Sequence, residues 1–240
     1  MLPDLTVRAV GARELMDDPD ADQRMLERTY ARFSVVNRIV SPWHGEYRRE
    51  IRPRARRGVL RVLDVGAGAA DLTRALAVRL RRDGIAASVT ALDADPRAVD
   101  WARAHDDGVG LRCVRAMTGD LVGEGERFDV VLSNHLLHHL TDDELQALLG
   151  DSERLLAPGG IALHHDIARG RAAYALFAAA TRPFAANLLE GSFIREDGLT
   201  SIRRSRTAGE LAALAPAGWS VRRGMPARLT LRREAPDAAA

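Results

Sequence analysis

The sequence predicts an α/β fold with a doubly wound, mostly parallel β-sheet of seven strands. Short apolar runs alternate with amphipathic stretches of helical period, and a glycine-containing turn joins the first apolar run to the next helix. The 240 residues, of which 46% are hydrophobic, suffice for one domain with a modest extension. We therefore expect an N-terminal helical cap over residues 1–57 and a single folding unit over residues 58–240.

Five strands joined by helices form the predicted core of the sheet. Apolar runs bounded by turn residues predict these strands at residues 59–64, 88–93, 111–115, 128–133 and 161–164. Amphipathic segments predict helices over residues 72–82 and 96–104, the second of which begins at Pro96. A capping box formed by Thr141 and Glu144 opens a helix that reaches about Leu156, and the Pro-Gly-Gly run at 158–160 ends it.

Segments at both ends of the chain complete the fold. The alanine-rich run 171–189 is apolar on one side, which predicts a helical insertion that covers the sheet after the fifth strand. Residues 219–221 and 227–231 predict a hairpin-like pair of strands at a sheet edge. The N-terminal segment carries Tyr30, Phe33, Trp43 and Tyr47, and we expect its helices to pack over a pocket.

Charge and composition indicate which binding partners and which cellular compartment to expect. The chain has 35 basic and 33 acidic residues, and a net charge of +2 attracts phosphate weakly, so no nucleic-acid partner is predicted. It contains no run of about 18 apolar residues that could span a bilayer, and residues 1–12 lack the order of a secretory signal. The single Cys113 cannot form an internal disulfide. We expect a cytoplasmic protein, monomeric or homodimeric, without membrane insertion.

The turn between the first predicted strand and helix has the composition of a cofactor loop. Gly66 and Gly68 let the backbone approach a ligand closely. A dinucleotide-binding loop would carry a third glycine and hold a pyrophosphate over the helix N-terminus. Asp71 stands near that place, and its carboxylate would repel a pyrophosphate. S-adenosylmethionine carries a sulfonium and an ammonium but no phosphate, so the charge favours this cofactor.

Two further carboxylates follow the next strands. Asp93 ends the second predicted strand, where a ribose diol would lie at the carboxyl edge of the sheet, although NAD enzymes share this feature. Asp120, after the third strand, suits a hydrogen bond from an adenine amino group, with Leu121 covering the ring. Turn formation is the alternative role for Asp120.

The loop 64–68, Asp93 and Asp120 resemble the successive motifs of class I S-adenosylmethionine-dependent methyltransferases. The resemblance covers roughly residues 59–163. The resemblance implies a Rossmann-like fold, S-adenosylmethionine as cofactor and S-adenosylhomocysteine as product. It implies that the loop surrounds the methionine moiety, that Asp93 holds the ribose and that Asp120 contacts the adenine. The full set of predicted cofactor contacts is Asp64, Gly66, Ala67, Gly68, Asp71, Asp93, Ala94, Asp120, Leu121 and Asn134.

Histidines crowd the segment that follows the fourth predicted strand. Methyl transfer is an in-line displacement, so the protein must align the acceptor and deprotonate a hydroxyl, which histidine does near neutral pH. The run 137–143 is similar to the C-H-D-W-S-D-E run of phenolic O-methyltransferases, whose histidine is the general base and aligns with His138. His135 is the second candidate base, and His139 is predicted to contact substrate. Packing beside the adenine or bracing the helix start is the alternative role for these histidines.

A second polar cluster, at residues 164–166, ends the fifth predicted strand. His165 either contacts substrate there or helps to close the strand, and a metal site is a third alternative. The spacing matches no known ligand signature, so we predict no metal. The flanking segments 14–19 and 197–205 look like those of bacterial methyltransferases of polyketide and quinone pathways. This likeness implies an aromatic or polyketide acceptor, for which Tyr30, Phe33 and Trp43 are predicted walls.

The predicted function is transfer of the methyl group of S-adenosylmethionine to a hydroxyl of a small aromatic or polyketide-derived metabolite. Three alternatives stay open: C-methylation of a quinone or polyketide ring carbon, a nicotinamide-dependent oxidoreductase, and a noncatalytic cofactor-binding partner protein. The oxidoreductase would require Asp71 to tolerate a pyrophosphate. No Pro-Pro-Tyr follows Asn134, which disfavours methylation of an amide or adenine nitrogen.

Overall fold

A computed structural model describes the backbone of residues 3–40, 43–106 and 108–238, and side chains within these ranges except those of residues 34–40, 43, 44, 56 and 57. Its centre is a seven-stranded sheet in the order β3-β2-β1-β4-β5-β7-β6. The strands are β1 Leu60–Val65, β2 Ala87–Asp93, β3 Arg112–Arg115, β4 Phe128–Asn134, β5 Leu156–Ile167, β6 Ser220–Gly224 and β7 Arg228–Glu234. β1 to β5 run parallel, and β7 pairs antiparallel with β5 and β6. The predicted fold class is confirmed.

Helices cover both faces of this sheet. They are α1 Gln23–Val40, α2 Trp43–Glu46, α3 Asp71–Arg82, α4 Pro96–Ala104, α5 Thr118–Gly123, α6 Asp142–Leu155, α7 Arg171–Thr181, α8 Ile194–Arg204 and α9 Ala208–Leu214. Shorter helical turns occupy Leu15–Asp17, Tyr47–Ile51, Arg52–Arg57 and Arg182–Phe184. No helix in the described ranges is both long and apolar enough to cross a membrane.

Alternating side chains of the central strands supply two apolar clusters. On one face, Leu63 and Val131 pack with leucines of α5, α6 and α9. On the other face, Val62 and Val130 pack with Leu76 of α3 and with the turn that contains Tyr47. Both faces are covered, so the central strands are apolar almost throughout, as β1 shows with five of its six residues buried.

The strand order reverses between β1 and β4. β2 and β3 follow β1 outward on one side, and β5 follows β4 on the other side. Helices at such a reversal leave on opposite faces, so a crevice opens beyond the carboxyl ends of the two strands. The loop after β1 and the histidine segment after β4 therefore meet at one place.

The fifth strand begins earlier than its apolar run predicts. It starts at Leu156, directly after α6, and it includes the Pro-Gly-Gly run. The register against β4 shifts between Phe128 and Val130, which leaves room for the extra residues beside the strand. The short helix α5 is an addition that the sequence reading did not predict.

We expect Gly160→Ala to destabilise the fold by about 1–3 kcal/mol. A Cβ at Gly160 would lie 2.8 Å from the carbonyl oxygen of Ala157 and 3.0 Å from that of Phe128, and neither backbone atom can swing aside. Gly150 in α6 is the matched control, since a Cβ there meets nothing within 4 Å, and Gly150→Ala should stabilise by about 0.5–1 kcal/mol. Urea denaturation of both variants measures the difference, and a shift of the same sign in both would contradict the tight packing at Gly160.

Candidate functional site

A cavity of about 660 Å³ lies at the reversal point of the sheet. Its floor is formed by the ends of β1, β2 and β4 and the segment 116–119, and its walls come from the N-terminal segment, α1, α6, α7 and α8. The lining includes the predicted residues Asp64, Gly66, Ala67, Gly68, Asp71, Asp93, Ala94, Asn134, His135, His138, His139, Tyr30 and Phe33. The fold thus brings most of the predicted site together.

The loop after β1 turns through left-handed backbone at Gly66 and Gly68, with φ of 65° and 54°. Glycine meets this requirement at little cost. At Gly66 a Cβ would also lie 2.8 Å from Cδ1 of Leu136, so a larger residue does not fit without displacing that side chain. The N–H of Gly68 donates to Oδ2 of Asp93 at 2.7 Å, which ties the loop to the end of β2.

One buried and two partly buried carboxylates lie around this loop. Asp64 is 4% exposed and accepts a hydrogen bond from the Thr73 hydroxyl at 2.5 Å. Burial raises the pKa of Asp64 to about 7, and the charges of Asp71 and Asp93 raise it further while Thr73 opposes the shift. Burial also raises the pKa of Asp93, although the N–H groups of Asp95 and Gly68 donate to its carboxylate. The cavity therefore concentrates negative charge that a cation would stabilise.

We expect Asp64→Asn to stabilise the protein most at alkaline pH. The pKa near 7 lies above the ordinary 3.8, so between these values the folded chain retains a proton that the unfolded chain has released. Stability therefore falls as the pH rises from about 4 to about 7. Asparagine has no charge to bury and keeps an acceptor for Thr73. The free energy of unfolding of Asp64→Asn should therefore exceed that of the wild type by an amount that grows across that window to roughly 2–4 kcal/mol.

Thermal unfolding of the wild type and Asp64→Asn at about pH 4 and about pH 8 measures this effect. Asp100→Asn is the control, because Asp100 is an exposed residue of α4. An advantage for Asp64→Asn of equal size at the two pH values would contradict a buried charge as its cause.

His138 lies at the centre of a buried polar network. Its side chain is 2% exposed, Nδ1 lies 2.8 Å from Oδ1 of Asp166, and Nε2 lies 3.2 Å from Oε1 of Glu14. Its backbone N–H donates to Oδ2 of Asp166 at 2.7 Å. Burial alone would lower the pKa of His138, but the two carboxylates outweigh it and raise the pKa to about 9. Both ring nitrogens of His138 are therefore already engaged.

His135 occupies a different environment beside the same carboxylate. Its side chain is 35% exposed, and Nδ1 lies 3.8 Å from Oδ1 of Asp166. Its backbone has a φ of 57°, held by a hydrogen bond from its N–H to the carbonyl of His165 at 2.9 Å. A left-handed conformation is costly for a residue with a Cβ, and such strained residues cluster at active sites and ligand-binding loops.

Glu14 and Asp17 are site residues that sequence reasoning missed. Glu14 is 4% exposed beside His138, and Oδ2 of Asp17 lies 3.2 Å from Nδ1 of His139. The hydroxyl of Ser201 donates to Oε1 of Glu14 at 2.8 Å, and Asp197 accepts the N–H groups of Leu15 and Met16. In the sequence, the one feature that drew attention to these residues is the likeness of segments 14–19 and 197–205 to those of other methyltransferases. That likeness does not predict that the two segments lie in contact.

Three predicted contacts require correction. Asp120 is exposed on α5, where its carboxylate accepts the N–H of Met117 at 2.8 Å, and it does not line the cavity. Leu121 is 1% exposed in the core beneath α5, so it cannot cover an adenine ring. His165 is a buried residue of β5 that pairs with Thr230 of β7, with Nδ1 2.9 Å from Oγ1 of Thr230, and it does not line the cavity. The prediction for Trp43 falls on a side chain outside the described residues.

The three residues of the cluster at the end of β5, His164, His165 and Asp166, lie in different environments. His164 is fully buried, with Nδ1 2.8 Å from the hydroxyl of Ser133 and Nε2 3.0 Å from that of Ser152. Burial lowers the pKa of His164 to about 3, so it is a neutral structural residue. The side chain of Asp166 contacts both His135 and His138 of the cavity.

Comparisons with known proteins agree with this geometry. Residues 62–160 match the family described as a methyltransferase domain. The ubiquinone biosynthesis O-methyltransferase of Cereibacter sphaeroides is 35% identical over 119 residues, which are 49% of this chain and 45% of that protein. That of Paramagnetospirillum magneticum is 32% identical over 164 residues, which are 65% of this chain and 63% of that protein. The chain thus spans about half to two thirds of the length of these relatives.

Solved structures share the fold at low sequence identity. The plantazolicin methyltransferase BpumL, in complex with a triazolic desmethylPZN analog and SAH, superposes with a TM-score of 0.60 at 11% identity, over 92% of this chain and 93% of that chain. The magnesium protoporphyrin IX methyltransferase of Synechocystis, with bound SAH, gives a TM-score of 0.52 at 14% identity, over 92% and 90%. Residues 62–160 therefore match a methyltransferase domain, and the chain has the fold of these solved methyltransferases.

Proposed function

We propose that the protein transfers the methyl group of S-adenosylmethionine to a hydroxyl of a small aromatic or polyketide-derived metabolite. The observation that carries this proposal is the charge of the cavity. Asp64, Asp71 and Asp93 line its cofactor side, and no arginine lines it among the described residues. A pyrophosphate cofactor would meet carboxylates without a balancing cation, whereas a sulfonium and an ammonium are attracted.

The loop residues fit this cofactor. The left-handed turns at Gly66 and Gly68 leave the backbone open on the cavity side, and Asp64 and Asp71 supply charge for an ammonium group. Asp93, which already orients the loop, is placed to accept hydrogen bonds from ribose hydroxyls. The segment 116–119 lines the cavity, and in the proposed complex it lies beside the adenine in place of Asp120. When bound, the cofactor supplies an electrophilic methyl group on its sulfonium.

His135 is the base in this proposal. A hydroxyl acceptor must lose its proton as its oxygen bonds to the methyl carbon, and the proton passes to the imidazole of His135. Asp166, 3.8 Å from Nδ1, stabilises the imidazolium that forms. His138 was the first candidate from the sequence, but its ring nitrogens face Asp166 and Glu14. We assign His138 to holding Asp166 in place.

Apolar side chains in the cavity suit an aromatic acceptor. Tyr30 and Phe33 of α1, Phe177 of α7 and Ile194 of α8 line the cavity together with the histidines. Flat rings bury well against such side chains, and a few polar groups then set the orientation. The relatives named as O-methyltransferases support a hydroxyl as the acceptor atom.

Calorimetric titration with S-adenosylhomocysteine, with NAD as the control ligand, tests the cofactor. We expect saturable binding of S-adenosylhomocysteine and no binding of NAD, and binding of NAD alone would overturn the proposal.

A panel of phenols and hydroxylated polyketides with methyl-labelled cofactor then tests the acceptor by mass spectrometry and NMR. Label on an oxygen supports the proposed reaction, label on a ring carbon would replace it with C-methylation, and binding without turnover across the panel would favour a noncatalytic protein.

A further inference from the structure

Glu14, His138 and His139 form a compact cluster on the wall of the cavity, which we call the Glu-His-His cluster. One potential ligand atom from each residue lies within 4.8 Å of the others. Oε1 of Glu14 is 3.2 Å from Nε2 of His138, and Oε2 of Glu14 is 3.8 Å from Nε2 of His139. All three residues line the cavity, so a group bound between them has access to it.

Each imidazole of the cluster is oriented by a second carboxylate. Nδ1 of His138 lies 2.8 Å from Oδ1 of Asp166, and Nδ1 of His139 lies 3.2 Å from Oδ2 of Asp17. A carboxylate at Nδ1 holds the proton on that nitrogen, so a metal ion at Nε2 of either ring displaces only the proton that Nε2 shares with Glu14. Histidines that bind metals are held in this way, and here both Nε2 atoms face the same glutamate.

Negative charge in excess surrounds the two rings. Glu14, Asp17 and Asp166 all contact them, whereas Arg204 lies 3.4 Å from Oδ2 of Asp17 and Arg8 donates to the backbone carbonyl of His138 at 3.0 Å. With neutral imidazoles these five charged groups sum to −1. This negative charge attracts a cation to a partly buried site.

We propose that the Glu-His-His cluster binds a divalent first-row transition ion. Two imidazole nitrogens and one carboxylate oxygen suit Zn²⁺, Co²⁺, Mn²⁺ or Fe²⁺, whereas Mg²⁺ and Ca²⁺ prefer sites made of oxygen alone. Three protein ligands leave at least one coordination position open, as in catalytic rather than structural sites. That position is available to an oxygen ligand in the cavity.

The tertiary structure holds Glu14 in position for this role. The hydroxyl of Ser201 donates to Oε1 of Glu14, and Asp197 accepts the next two backbone N–H groups. Both anchors lie on α8. The sequence predicted no metal because the third ligand and its anchors are remote from the histidines along the chain.

The test is titration of the chelator-treated protein with Co²⁺, followed by visible absorption and calorimetry. We expect one Co²⁺ per chain with the ligand-field bands of a nitrogen and oxygen site. Glu14→Gln and His139→Gln should each weaken binding by more than about 100-fold, and Asp17→Asn by about 10- to 100-fold. His105→Gln is the matched control, because His105 stacks on Trp101 away from the cavity and should bind Co²⁺ as the wild type does.

Circular dichroism of each variant confirms that a loss of binding is not a loss of fold. The proposal is overturned if the folded wild type binds no Co²⁺ in a one-to-one ratio, or if Glu14→Gln and His139→Gln both keep wild-type affinity. Competition by Mg²⁺ at equal concentration would overturn the assignment to a transition ion. These measurements detect binding directly, so their outcome does not depend on finding the methyl acceptor.

Discussion

His135→Asn is expected to lower kcat by about 10²- to 10⁴-fold and to leave the affinity for S-adenosylhomocysteine within about twofold. The loss is the usual contribution of a positioned general base. Asparagine is chosen because it tolerates the left-handed backbone that His135 adopts, with a φ of 57°. The substitution therefore removes the imidazole while the turn at the end of β4 is kept. Turnover by mass spectrometry, with calorimetry for binding, measures the two effects.

His105→Asn is the control for this experiment. His105 follows α4 and stacks on Trp101, and it does not line the cavity. Its replacement should leave kcat unchanged. A kcat of His135→Asn within about threefold of the wild type would remove His135 as the base, and a weakened affinity for S-adenosylhomocysteine would show that it acts through the cofactor instead.

Asp93→Ala is expected to weaken S-adenosylhomocysteine binding by about 10- to 150-fold. Hydrogen bonds that involve a charged group contribute about 1.5–3 kcal/mol, which corresponds to this range. The carboxylate of Asp93 accepts the N–H groups of Gly68 and Asp95, and in the proposed complex it also holds the ribose. Its removal loses a ligand contact and loosens the loop that carries Gly68.

Asp93→Asn separates these two contributions. Asparagine keeps one acceptor oxygen for the loop and loses the charge, so its effect should lie between those of the wild type and Asp93→Ala. Asp100→Ala is the control, because Asp100 is an exposed residue on α4 that pairs with Arg103. Equal affinity of the wild type and Asp93→Ala, measured by calorimetry, would contradict the proposed placement of the ribose.

Local patterns in the sequence predicted most of the sheet and its helices. The range of α4 is as predicted. In β1, β2, β3 and β4 both the first and the last residue lie within one residue of the prediction. These elements depend on apolar period, turn residues and caps, all of which lie within a few residues of each other. The loop with Gly66 and Gly68 was recognisable for the same reason.

Contacts between distant segments account for what local patterns missed. The sequence placed Asp120 in a plausible position after β3, but the cap of α5 turns its carboxylate to the N–H of Met117. β5 begins at Leu156 because β4 tolerates a register shift, which is a property of the pair of strands. Period and composition describe one segment at a time, so neither result could be read from them.

The histidines illustrate this division most clearly. Their number and their place after the fourth strand were visible in the chain, and so was the chemistry that imidazoles offer. Which of them is accessible depends on Asp166 from β5 and Glu14 from the N-terminal segment, which enclose His138 and leave His135 half-buried. Burial and charge arise only when these remote carboxylates meet the rings, because both depend on distance in space and not on separation along the chain.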